Sequence, residues 1–143
     1  MSVEIKSYRK ECESRILNGL EKAMRDACVL VQNDAKKNIA EHSAKTPWKK
    51  TGKVASAVNH EVKTEGDVII GEIGIADRDL AFIGKKLELG HPQHPGQFVP
   101  AIGKRLVASD VPPYPWLFPA VESNRDKIIE ILKSSGAKEV SIE

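Results

Sequence analysis

Six lysines, Lys36, Lys37, Lys45, Lys49, Lys50 and Lys53, stand close together with Glu41 as the sole carboxylate among them and Trp48 as an interleaved aromatic. Ammonium groups at this density beside an aromatic ring suit contact with phosphates. Arginine, whose planar fork reads base edges, is missing from the stretch. The same residues therefore read first as a solvated loop or as a surface for an acidic partner, and sequence-specific recognition of nucleic acid is the weaker reading. The pair His91 and His94 in His-Pro-Gln-His is the nearest thing to a metal signature. Zinc needs three or four ligands in fixed geometry, and neither a cysteine pair nor a His-Glu-x-x-His helix completes the set. The pair reads as a polar loop and no metal site is expected.

Nucleophilic chemistry finds no better support. Cys12 and Cys28 are sixteen residues apart, which on one straight helix is about 24 Å, too far for a disulfide. Both fall on an apolar stripe, where thiols are expected to be reduced, buried packing groups. The chain has no Gly-x-Ser-x-Gly elbow and no glycine loop of the phosphate- or dinucleotide-binding kind. Glu88, just before Gly90, has no evident partner for acid–base work and reads as a hydrogen-bonding anchor. No catalytic residue, cofactor or metal ligand is expected, and the chain is read as a non-enzyme.

The proline cluster at residues 112–119 carries Tyr114, Trp116, Leu117 and Phe118 between Pro112, Pro113, Pro115 and Pro119. Prolines at this density exclude a helix interior and a central strand. Such a rigid, apolar stretch either closes the core or presents aromatics to a neighbouring subunit. Alternate residues of an extended segment face opposite ways, so both uses are compatible.

The elements that must position these residues follow from periodicity. Residues 7–41 repeat apolar side chains at helical spacing from Tyr8 through Cys12, Ile16, Leu20, Val31 and Ala35 to Ile39, with charge between them. Unbroken, that helix is about 50 Å long, more than a domain of this size needs, so part of it is expected to project or to meet another chain. Residues 42–53 read as a basic loop, and 54–76 as a hairpin turning at Glu65-Gly66-Asp67. Residues 77–118 hold a short, helix-like element, a loop, short strands and the proline arm. Residues 119–136 form a second helix that Gly136 ends, and 137–143 a tail. The order predicts one α+β domain: an antiparallel sheet of three to five strands with a long N-terminal and a shorter C-terminal helix packed on one face.

At 143 residues, 41% apolar, 29% charged and a net charge of +2, the chain has the composition of a single globular domain and not of a disordered one. No run approaches the ~18 apolar residues of a membrane span. The first residues lack the layout of a secretory signal, which predicts a protein made and used inside the cell or packaged in a particle built there.

Three short motifs in order resemble a known family. Pro47 with Thr51-Gly52, followed by Lys53-Val54-Ala55-Ser56-Ala57-Val58, is similar to the opening of that family's first strand. Leu87-Glu88-Leu89-Gly90 resembles its glutamate–glycine segment. Pro115-Trp116-Leu117-Phe118-Pro119-Ala120 resembles its proline signature, and the residues from Val121 to Ile128 its last helix. The family comprises tail-component, tail-completion and head–tail connector ("neck") proteins of long-tailed siphophages. Lys53-Val54 replaces the family's Leu-Arg, Phe82 stands where tyrosine is usual, and residues 91–113 look like an insertion.

The resemblance implies a structural subunit that assembles with copies of itself into a ring at the head–tail junction. Its partners would be connector, head-completion and tail proteins. It also implies that Thr51, Gly52, Glu88, Gly90, Pro115, Pro119 and Ala120 mainly set the fold, while Tyr114, Trp116, Leu117 and Phe118 meet another chain. The alternative is a small nucleic-acid-binding protein using residues 36–53. It predicts affinity for duplex DNA that falls steeply with salt, and a titration showing no binding even at low ionic strength removes it.

Overall fold

Small and β-branched side chains every third or fourth position, with charge between them, draw Arg9–Lys45 into a single helix of 37 residues, α1. The structure, a computed structural model, describes residues 9–45, 52–92, 98–100, 103–105, 110–137 and 139–142. The buried stripe of α1 is Ala23, Ala27, Cys28, Val31, Ala35 and Ile39. Three of these are alanines, which let neighbouring elements approach the helix backbone closely. Gly19 does not interrupt the helix.

Two layers lean on α1. On one side lies an antiparallel hairpin of β1 (Val58–Glu65) and β2 (Val68–Ile75), in register Val58↔Ile75, Glu61↔Glu72 and Glu65↔Val68. Gly66, with φ 60°, takes the first central position of the turn, where positive φ suits glycine. The inner face of the hairpin carries His60 and Thr64, bonded to Gln32 at 2.5 Å and Glu21 at 2.7 Å on α1. Against α1 also packs α4 (Leu117–Ser134), which runs antiparallel to it. Trp116 meets Asn38, Asn124 meets Asp34, and Gly136 lies beside Ile16. α4 with its flanking residues Trp116 and Gly136 therefore lines α1 from Asn38 back to Ile16, and the projection expected of α1 shrinks at that end to its first turns. There Cys12 and Ile16 are exposed. Cys12 is thus not the buried thiol expected, because the stripe at that point runs past the end of α4. Cys28 is buried beneath β2, and desolvation pushes its thiol pKa up.

The hairpin starts later than its alternation suggests. Residues Lys53–Ala57 form one helical turn, α2. Gly52, with φ 68°, admits the chain into it, and both the amide and the hydroxyl of Ser56 bond back to the Gly52 carbonyl. Ala55 and Ala57 favour helix and carry too little side chain to hold a strand in place. α3 (Arg78–Leu89) begins at Asp77, whose side chain accepts from the Leu80 amide, and ends at Gly90 with φ 71°. The remaining strands are two-residue pieces: β3 (His91–Pro92) pairs with β6 (Asp110–Val111), and β4 (Phe98–Val99) with β5 (Lys104–Arg105).

The architecture is α+β, as the periodicity predicts, but the strand count differs. Among the described residues the three to five strands of one sheet become a two-stranded sheet and two minimal ladders. Pro92 and Pro100 remove ladder donors just where those strands would lengthen. The tail has no regular structure where described, yet Ala137, Val140 and Ile142 pack against the core. Among the described residues no helix is long and apolar enough to cross a membrane.

The closest approach of helix to sheet is at Gly71. A Cβ there would sit 2.7 Å from both Cys28 Sγ and Met24 Sδ. Met24 can swing away, but Cys28 is fixed one bond from its own Cβ. Gly71→Ala is expected to cost about 1–3 kcal/mol in denaturant unfolding. Most of that loss should be recovered in the Gly71→Ala/Cys28→Ala double variant, because the two sites are in contact.

Candidate assembly surface

The first four amides of a helix have no partner inside it. In α4 they belong to Trp116, Leu117, Phe118 and Pro119, and Trp116 offers no side-chain cap. Pro119 has no N–H to satisfy. The other three are taken by one carboxylate on a different element. Glu88 Oε2 accepts from the Trp116 amide at 2.6 Å and the Leu117 amide at 2.9 Å, and Oε1 accepts from the Phe118 amide at 3.0 Å. Negative charge at a helix N-terminus is further favoured by the helix dipole. Glu88 is an anchor that ties the end of α3 to the start of α4.

Five more contacts lock the same corner. The Trp116 indole donates to the Gly84 carbonyl at 2.9 Å, and its ring lies over Gly84, where a Cβ would come within 3.3 Å. The Trp116 carbonyl accepts from Asn38 at 3.0 Å. The Tyr114 amide donates to Leu87 at 2.8 Å, and the Tyr114 ring stacks on His42 with centroids 4.0 Å apart. One turn into α4, Ala120 is buried in the core. Below it the buried Asn124 donates to Asp34 at 2.6 Å and to the Ala120 carbonyl at 2.8 Å. Gly84, Asn38, Asp34 and Asn124 were not among the residues singled out in the sequence. Asn124 had a signal, an amide on an otherwise apolar helical face, whereas Gly84 and Asn38 had none.

The four residues expected to meet another chain separate here. Trp116 is only 4% exposed and belongs to the chain's own core, so its assignment to an interface is corrected. Its neighbours fix this: the indole N–H finds its partner inside, on Gly84. Tyr114 and Leu117 are half-buried. Phe118 is 64% exposed. Two steps around a helix start are about 200°, which turns Phe118 outward when Trp116 turns inward.

Gly52 and Gly90 take the positive-φ positions described above, and Pro115 leads into the corner as an exposed residue. Thr51 lies outside the described residues, as do Lys49 and Lys50. Lys45 ends α1, and Lys53 opens α2. Lys36 and Lys37 are on α1, with Lys37 4.0 Å from Glu41 one turn away. These placements put the basic stretch partly on helix, not wholly in a loop. His91 lies in β3 and His94 outside the described residues.

Beside the Glu88 corner the surface is apolar. Phe82 is 59% exposed and Leu89 66% exposed, both on the outer side of α3, and Ile83 is exposed as well. An open groove of about 300 Å³ runs between α1 and α4, lined by Asp34, Lys37, Asn38, Glu41, Pro119 and Ser123. Set against protein-family models, characterised proteins and solved structures, the chain matches none.

Glu88→Ala, which strands three amides, is expected to lower stability by about 2–4 kcal/mol, and Glu88→Gln, which keeps one acceptor, by about half as much. Denaturant midpoints measure both. Equal losses for the two would show that the second carboxylate oxygen contributes nothing.

Proposed function

We propose that the chain is a structural subunit of the head–tail junction of a long-tailed phage or prophage. It acts in the neck or in tail completion as one member of a ring, carries out no chemical turnover, and resides in the virion after assembly in the host cytoplasm. The observation that carries this reading is Phe118. It is a large apolar side chain directed into solvent from a backbone whose amide is held by Glu88, the residue that precedes exposed Leu89 in the chain. Apolar side chains on a rigid frame lose little entropy on docking, which favours protein–protein contact. Three motifs of the family resemblance bear on the same corner. Glu88 and Pro115–Ala120 meet directly, and α2, opened by Gly52, packs on α3. A ring lets such surfaces be covered by neighbouring copies or by connector and tail proteins, while the lysines face packaged DNA or an acidic neighbour.

The two aromatics of the arm give the test. Phe118→Ala should leave stability within about 0.5 kcal/mol, as for an exposed position. In a phage dependent on this chain it should sharply reduce the yield of tailed particles. Trp116→Ala should instead unfold the corner, at about 3–5 kcal/mol. Normal particle yield with Phe118→Ala and Leu89→Ser combined would remove the surface from the junction.

A further inference from the structure

Two exposed faces of the chain carry opposite charge and matching apolar content. The first is the outer side of α3. Arg78, Phe82, Lys85, Lys86 and Leu89 follow one another at helical spacing, and Lys86 Nζ sits 4.4 Å over the Phe82 ring. Three cations therefore frame two exposed apolar side chains, with Asp79 at the edge.

The second is the outer side of the hairpin. His60, Thr64 and Gly71 point to α1, so the alternate residues point away from it. These include Glu61, Glu65 and Glu72 with Lys63, and Val68 and Ile70 of β2. Glu61 and Glu72 are directly opposite each other across the ladder. Lys63 reaches both, at 3.5 Å and 3.2 Å, and the Glu72 hydrogen bond and the charge of Glu61 raise its pKa and keep it cationic. Even so the carboxylates outnumber it, and Val68 is among the most exposed apolar residues described.

We infer that these two faces bind each other between copies, the outer face of α3 in one chain seating on the outer face of the β1–β2 hairpin in the next. Complementarity selects this pairing over the symmetric ones. Placing α3 on a second α3 opposes three cations to three, and placing hairpin on hairpin opposes carboxylates to carboxylates. Like charges in juxtaposition disfavour both. Two unlike faces on one chain make a heterologous contact, which closes into a ring when the rotation per copy divides a full turn. The inference rests on the assembly reading above and names the surfaces that would close its ring. Exposed charges at the rim make the contact weaken with salt, while Phe82, Leu89, Val68 and Ile70 supply the apolar centre.

Charge exchange tests it on the purified full chain by sedimentation velocity. Wild type should self-associate at low ionic strength and dissociate as salt is raised. Lys85→Glu/Lys86→Glu and Glu61→Lys/Glu72→Lys should each weaken association about tenfold or more, with melting temperatures near wild type. An equimolar mixture of the two variants should recover assembly, because each then meets the opposite charge on both sides. Should a charge variant fail to fold, Phe82→Ser and Val68→Ser, which change no charge, should each give the same loss.

Wild-type association by either charge variant alone would overturn the inference, as would a mixture of folded variants that stays monomeric. A wild-type chain that remains monomeric at its solubility limit would also overturn it. That last result would leave the junction role standing, since particle yield with Phe118→Ala decides that separately. Normal particle yield beside intact solution assembly would do the reverse.

Discussion

One carboxylate holds three backbone amides, and the rest of the corner depends on it. Without Glu88, α4 would begin with uncapped N–H groups next to a buried indole. Its first turn would then fray toward water, where those groups can be solvated. Fraying would withdraw Trp116 from Gly84 and release the carbonyl that Asn38 holds. Local propensity alone would not start a helix at Leu117, because neither Trp116 nor Pro115 is a capping residue. The helix begins there because a distant acid supplies the cap. Pro119 in the first turn removes the one amide that the carboxylate does not reach.

The second constraint is spacing. α1 is covered on two sides, and both neighbours come close because its contact stripe is built of alanine, valine and a thiol. Gly71 in β2 faces Cys28 and Met24 of α1, and Gly84 in α3 faces Ile75 and Trp116, each lacking the Cβ that would collide with a side chain opposite. Interiors packed at crystal-like density leave no slack for such a collision. The close packing and the Glu88 cap together make a rigid platform, so the side chains left outside are fixed in direction by what lies beneath them.

Periodicity made the long helix, the hairpin register and the last helix legible, because each buries one regular face, whereas residues 77–89 fitted a short helix only slightly better than a strand. The inner and outer residues of β1 and β2 follow the alternation without a slip. Boundaries were less legible. α4 starts at Leu117 because of Glu88, a partner that sequence distance hides, and residues 53–57 coil because Gly52 leads the chain into a turn that alternation cannot register. Cys12 matched the apolar stripe and is nonetheless exposed, since a stripe shows which face of a helix is apolar and not how far its partner extends. Glu88, Gly90, Pro119 and Ala120 stood out in the sequence through the motifs that carry them. Their joint role came from geometry, which turned a loose set of motifs into one hydrogen-bonded corner.

The aromatic arm illustrates how one segment serves fold and surface at once. A flexible loop bearing Trp116 and Phe118 would bury both, because nothing would keep the second ring in water. Helical geometry forbids this. With the indole N–H tied to Gly84 and the Phe118 amide tied to Glu88, the two rings must leave the backbone in nearly opposite directions. Burial of the first therefore enforces exposure of the second. The apolar surface at the corner is thus a consequence of how the core closes, and it persists until another molecule covers it. The same holds for α3, whose inner face packs Gly84 and Leu87 inward and thereby commits Phe82 and Leu89 to the outside. Rigid contacts thus hold these apolar side chains in water, and the proposed assembly would cover them, with the charges around Phe82 and Val68 setting its direction.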